Sequence, residues 1–248
     1  MHTNMSEKIA IVTGGSSGIG AAIVHRFTEN KAKVISIDIT EPEYDLEGCV
    51  HFTCDLTQED SVKSVFAQIK SSFPVIDVIC ANAGVVPPWS RIKDTNFSEW
   101  KNVIEVNINS LFLTLSHGAK LLKNNTGTIV VTGSINSWKG DANISSYVAS
   151  KHAALGLIRS AALDLGQEGI RVNGVAPGPI ATDALISRVK LRLDGSSLDV
   201  ESYLQSVGQV TALKRIATID EVINTIEFLA SEKSSGITGQ LISVDCGI

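Results

Sequence analysis

Lys8-Ile9-Ala10-Ile11-Val12-Thr13 runs directly into Gly14-Gly15-Ser16-Ser17-Gly18-Ile19-Gly20. The first six residues are apolar and rich in β-branched side chains, and they stop at a glycine pair. Behind the glycines, residues 19–29 carry apolar side chains at three- and four-residue spacing. Strand, glycine-rich turn and helix in that order make the first βα unit of a parallel sheet. Glycine opens backbone geometry closed to other residues and lets main-chain N–H groups approach a phosphate. The helix N-terminus adds a dipole that favours the anion. A glycine-rich turn alone marks only a tight turn. At the first βα junction it lies where dinucleotides bind, which makes Gly14, Ser17, Gly18, Ile19 and Gly20 candidate cofactor-binding residues.

Working outward, the same alternation fills the chain. Short apolar runs at 33–37, 75–80, 128–132, 171–175 and 240–244 read as strands buried on both faces. Residues 61–71, 98–122, 147–166 and 219–231 carry helical spacing between them. The pattern predicts an α/β, Rossmann-type, doubly wound parallel sheet of about seven strands with helices on both faces. A length of 248 residues fits one domain over 1–248. Residues 181–209 break the alternation. With Gly195, Ser196 and Ser197 in their middle and Arg188, Lys190 and Arg192 before them, they are expected to form a substrate lid.

Composition removes several function classes. A net charge of −5 argues against a nucleic-acid binder. No apolar run reaches the length of about 18 residues that a membrane span needs. The N-terminal stretch from Met1 to Glu7 lacks the apolar core of a secretory signal, and the protein is expected in the cytoplasm. Cys49, Cys54, Cys80 and Cys246 form no paired motif, and His51 has no second cluster with which to build a zinc site, so no metal is expected. Asp38 closes the second strand, eighteen residues after Gly20. An acid there accepts hydrogen bonds from ribose hydroxyls of NAD and repels the additional phosphate of NADP. No Lys or Arg lies within 15–19 to offset that repulsion.

Tyr147-Val148-Ala149-Ser150-Lys151 puts a phenol and an amine four residues apart, on one face of a helix. A neighbouring ammonium favours the phenolate, so the pair is a chemically sensible acid–base unit. With this pair in place the chain resembles the short-chain dehydrogenase/reductase family over essentially its whole length. The matching elements stand in the family's order: the glycine turn, Asp55-Leu56, Asn82-Ala83-Gly84, Asn107, Ser134, Tyr147-x-x-x-Lys151 and Pro177-Gly178. Ala81, where many relatives carry Asn, and the ending Asp245-Cys246-Gly247, where a glycine pair is more usual, are departures away from the chemistry.

The resemblance implies a role for each residue. Tyr147 exchanges a proton with the substrate oxygen. Lys151 lowers the tyrosine pKa and bonds the nicotinamide ribose. Ser134 holds the substrate oxygen. Asn107 sits where the helix is distorted around a water that completes a proton path. Asp55 and Leu56 flank the adenine, Asn82 and Gly84 lie against the adenosine ribose and the fourth strand, and Pro177, Ile180 and Thr182 lie toward the nicotinamide. The implied activity is interconversion of a secondary alcohol and a ketone with NAD(H), on a small polar, polyol or sugar-like molecule. An NADPH-using 3-oxoacyl-thioester reductase is the alternative, and Asp38 argues against it. Residues 85–89, 135–141 and the lid are expected to build the pocket, with Trp89 and Trp138 either stacking on substrate or packing a loop. The family's assembly implies a homotetramer or homodimer through the helices at 98–122 and 147–166.

Overall fold

The computed structural model describes residues 5–193 and 199–248. The expected stretch Gly195-Ser196-Ser197, the adjoining Asp194 and Leu198 and the first four residues lie outside it. Seven parallel strands form one sheet: β1 (Ile9–Thr13), β2 (Lys33–Asp38), β3 (Cys49–Thr53), β4 (Val78–Ala81), β5 (Thr128–Thr132), β6 (Arg171–Pro177) and β7 (Leu241–Val244). Their order across the sheet is β3-β2-β1-β4-β5-β6-β7. The chain reverses direction of build between β1 and β4, and the crevice beyond the carboxyl ends of those two strands is where a ligand fits an open α/β sheet.

The described residues form eight α-helices: α1 (Gly18–Glu29), α2 (Glu59–Ser72), α3 (Phe97–Ile104), α4 (Ser110–Gly118), α5 (Ser145–Gly166), α6 (Asp183–Leu193), α7 (Val200–Gln209) and α8 (Ile219–Ala230). Successive strand residues face opposite sides. Ile11, Ile35, Ile37, Ile79 and Ile129 face one layer with α2, α4 and α5, and Val12, Val34, Val78, Cys80 and Val130 face the other with α1 and α8. The Cys80 thiol is 1 % exposed, and burial pushes its pKa well above the ordinary value. Arg26 of α1 reaches Asp220 and Glu227 of α8 at 3.0 and 2.9 Å, which locks the second layer.

Two elements differ from the sequence expectation. The edge strand β3 was absent from the expected runs, because its Cys-Val-His-Phe-Thr is half exposed and carries no continuous apolar signal. The single helix expected over 98–122 is two helices joined by one π-turn, Glu105–Asn109. Within 181–209, the expected lid, the described residues form α6 and α7, packed against each other. Among the described residues, no helix is long and apolar enough to cross a membrane.

Candidate active site

The glycine turn is held from three sides. Gly14 N–H donates to Ile37 O at 2.8 Å, and the Thr13 hydroxyl accepts from the N–H groups of Asn82 and Ala83 at 3.0 and 3.2 Å. Tyr44, which no sequence pattern singled out, donates its hydroxyl hydrogen toward Gly15 O and lies 3.0 Å from both that carbonyl and Ser36 Oγ. The glycines divide by need. Gly14 and Gly18 have φ of +66° and +53°, and a Cβ on Gly18 would meet nothing within 4 Å. A Cβ on Gly20 would sit 1.8 Å from Gly14 O, so the turn closes only around a bare α-carbon. Ser17, the residue before α1, makes no side-chain cap, which leaves the first N–H groups of the helix for an anion.

Asp38 stands over this turn. Its carboxylate accepts from Ser16 N–H at 3.0 Å and Thr40 N–H at 3.2 Å. Asp55 accepts from Thr57 N–H and hydroxyl at 2.9 and 2.7 Å and shapes the loop after β3, with Leu56 buried beside it. Asn82 is a strut. Its amide donates to Gly14 O at 3.2 Å and its carbonyl accepts from the Thr132 hydroxyl at 3.0 Å, tying the ends of β1, β4 and β5. Past Pro177 and Gly178, buried Ile180 pairs with Ala217, and the Thr182 hydroxyl caps α6 by accepting from Leu185 N–H.

Tyr147 and Lys151 project from the start of α5 toward the carboxyl ends of β4 and β5. Lys151 Nζ donates to Thr132 O at 2.8 Å and lies 5.6 Å from the centre of the Tyr147 ring. Burial pulls the Lys151 pKa down to about 8. Burial pushes the Tyr147 phenol up from its ordinary value, while the Ser134 side chain and the Arg188 charge pull it back. The resemblance assigned that lowering to Lys151. In the structure the lysine's amine donates to the Thr132 carbonyl and stands 5.6 Å from the centre of the phenol ring, and Ser134 and Arg188 act on the phenol beside it. Ser134 is buried and caps a short turn, accepting from Asn136 N–H at 3.2 Å. Asn107 lies in the π-turn, 4 % exposed, and its side chain brackets Val85: Oδ1 accepts from Val85 N–H at 2.7 Å, and Nδ2 donates to Val85 O at 2.9 Å and to Ser150 Oγ at 3.0 Å. A Cβ on Gly84 would lie 3.2 Å from Asn107 Oδ1 and 3.8 Å from Lys151 Nζ, so the loop after β4 passes directly over both. Sequence reasoning had placed Arg188 in a lid but not beside the phenol. Its position depends on Trp89, over whose ring the guanidinium sits at 4.1 Å.

This arrangement can exchange a proton at a half-buried phenol, beside a hydroxyl that donates and accepts and an amine whose pKa is near neutrality. The comparisons with known proteins agree in kind. Residues 14–248 match the family model described as "Enoyl-(Acyl carrier protein) reductase". Short-chain dehydrogenase reductase 3a of Arabidopsis thaliana is 34% identical over 249 residues, covering 97% of this chain and 94% of that protein. Ligand-free aldohexose dehydrogenase of Thermoplasma acidophilum superposes with a TM-score of 0.93 at 31% identity, covering 99% of this chain and 96% of that one. Carveol dehydrogenase of Mycobacterium avium, solved in complex with NAD, superposes with a TM-score of 0.90 at 25% identity and covers 99% of both chains.

Proposed function

Because the chain belongs to the short-chain dehydrogenase/reductase family, we propose that it interconverts a secondary alcohol and a ketone with NAD(H), using Tyr147 as the proton-exchanging group. The observation that carries this reading is the meeting of Tyr147, Ser134 and Lys151 at the carboxyl end of β5, linked to the glycine turn through Thr132 and Asn82. The residues present fit NAD. The uncapped start of α1 and the open face of Gly18 suit a pyrophosphate, and the Asp38 carboxylate suits ribose hydroxyls while opposing a ribose phosphate. Lys151 has three N–H donors, one of them given to Thr132 O, and the others suit the second ribose. Asp55, Leu56, Asn82, Gly84, Pro177, Ile180 and Thr182 line the remaining length.

NAD, when bound, supplies the two-electron acceptor for the carbinol hydrogen. The chain's own residues do the rest. Ser134 holds the substrate oxygen by hydrogen bond. Tyr147 as phenolate takes the hydroxyl proton in oxidation, and as phenol returns it in reduction. Lys151 holds positive charge near the phenolate and limits its accumulation cost. Asn107 fixes the loop at Val85 and the helix at Ser150, so the crevice keeps its width. The insertion α6–α7 forms the far wall, tied to the loop after β4 by Trp89. Phe112, which is 54 % exposed, forms with Ile108, Leu113 and Leu157 a shallow apolar groove that suits a second copy of the chain in a homodimer or homotetramer.

The test is spectrophotometric. The purified protein with NAD and a panel of secondary alcohols should develop NADH absorbance, and Tyr147→Phe should lower kcat by about a hundredfold or more, the usual contribution of a positioned acid–base group. Undiminished turnover in Tyr147→Phe would overturn the assignment, and turnover only with NADPH would overturn the cofactor.

A further inference from the structure

Of the three cations on α6, Lys190 and Arg192 are exposed and Arg188 is turned inward. Arg192 is already engaged: its Nη1 donates to the Tyr203 hydroxyl at 3.2 Å. The Arg188 guanidinium packs over Trp89, and its Nε and Nη2 atoms are closed off from solvent without a hydrogen-bond acceptor among the described residues. Two donors of a charged group withdrawn from water and left unpaired are costly to a fold, so this edge calls for an acceptor to complete it. Nε and Nη2 form the side edge of the guanidinium, whose two N–H bonds run parallel and match the two oxygens of a carboxylate. The surroundings are mixed in sign. Arg192 adds a second positive charge, while Asp141, Tyr147 and Tyr203 face the guanidinium, and none of them hydrogen-bonds that edge.

We propose that Arg188 is a carboxylate receptor and that the substrate is a hydroxy acid or its oxo acid, clamped at its carboxylate by the Nε–Nη2 edge while its hydroxyl or carbonyl lies at Tyr147 and Ser134. This rests on the reading of Tyr147 given above. A carboxylate brings two coplanar oxygens and one charge, which one such edge satisfies. A phosphate ester brings a second charge, for which the solvent-facing Arg192 is the only further cation placed against Trp89 in the described structure.

Two matched pairs make the test: 3-hydroxybutyrate with its methyl ester, and 4-hydroxycyclohexanecarboxylate with its methyl ester. Wild type should favour the acid in kcat/KM in at least one pair by about a hundredfold, as sites built to hydrogen-bond a substrate group reject the analogue lacking it. Arg188→Gln should bring the ratio near one, mainly through KM. Arg188→Lys keeps the charge and loses the fork, and should lose at least about tenfold of the preference. A readout independent of turnover is calorimetric titration of the cofactor-free protein with cyclohexanecarboxylate: saturable heat in wild type, absent in either variant and absent with cyclohexanecarboxamide. Turnover of neutral alcohols with no preference for the acids, or a preference that survives both substitutions, would overturn the receptor and leave the alcohol-oxidoreductase reading standing. Saturable binding of cyclohexanecarboxylate lost in Arg188→Lys, with no alcohol oxidised by wild type, would support the receptor and overturn the catalytic reading instead.

Discussion

Gly18 and Gly20 stand two residues apart in the same turn and serve different ends. Gly20 permits the turn to close, since a methyl there would overlap Gly14 O. Gly18 has open space before it and a positive φ. Gly20→Ala should therefore damage folding, seen as a large loss of Tm. Gly18→Ala should cost only about 1–2 kcal/mol of backbone strain, yet weaken NADH binding strongly by filling the face that a phosphate approaches. Fluorescence titration with NADH, beside thermal melts, separates the two. With Tyr147 as the proposed proton-exchanging group, oxidation needs the phenolate and reduction the phenol. Burial raises the phenol above its ordinary 10.0, so kcat/KM for oxidation should climb through the alkaline range while reduction falls. Arg188 favours the phenolate, so removing its charge raises the tyrosine pKa further. The alkaline limb of oxidation in Arg188→Gln should move to higher pH, and a limb that stays in place would sever the electrostatic link between the two residues.

At the scale of elements, the π-turn between α3 and α4 carries the next expectation. One extra residue in that turn brings Asn107 to the Val85 backbone, and Asn107→Ala would strip the Val85 N–H and C=O of this side-chain partner and take one of the two from the Ser150 hydroxyl, which keeps its bond to Tyr147 O. A loss of about 1–3 kcal/mol follows from leaving a buried group unpaired. At about 2–4 °C per kcal/mol for a domain of this size, the melt should show it. If turnover falls while Tm holds, Asn107 acts through a proton path and not through the clamp. The elements also show what could be read in advance. β1 and α1 were legible because the change from strand to helical periodicity falls at the glycines. Tyr147 and Lys151 were legible because one helix face carries both. The π-turn was not, since an insertion of one residue leaves the apolar spacing over 98–122 intact to the eye. Nor was β3, whose edge position asks for little apolar content. Arg188 could not be told from Lys190 and Arg192, because what distinguishes it is the tertiary packing that buries its Nε and Nη2 and turns its charge to Tyr147.

For the whole molecule, the proposed cofactor site draws on segments as far apart as Gly14 and Thr182, so a ligand that bridges them would stabilise the entire fold. A ligand at a hundred times its Kd adds about 2.7 kcal/mol. Thermal melts should rise more with NAD than with NADP at equal concentration, and Asp38→Ala should bring the two shifts together by relieving repulsion of the ribose phosphate. A larger shift with NADP in wild type would remove Asp38 from the cofactor site.

The sulfur buried at the middle of β4 turns this coupling into a clock. Alkylating reagents react with thiolate, and Cys80 is kept as thiol and out of reach while the sheet is intact. With Cys49, Cys54 and Cys246 replaced by Ser, each labelling event marks an opening that lifts the α1 and α8 layer from β4. The labelling rate then counts excursions of the fold in undenatured buffer, and a ligand seated across the strand ends lengthens the interval between ticks.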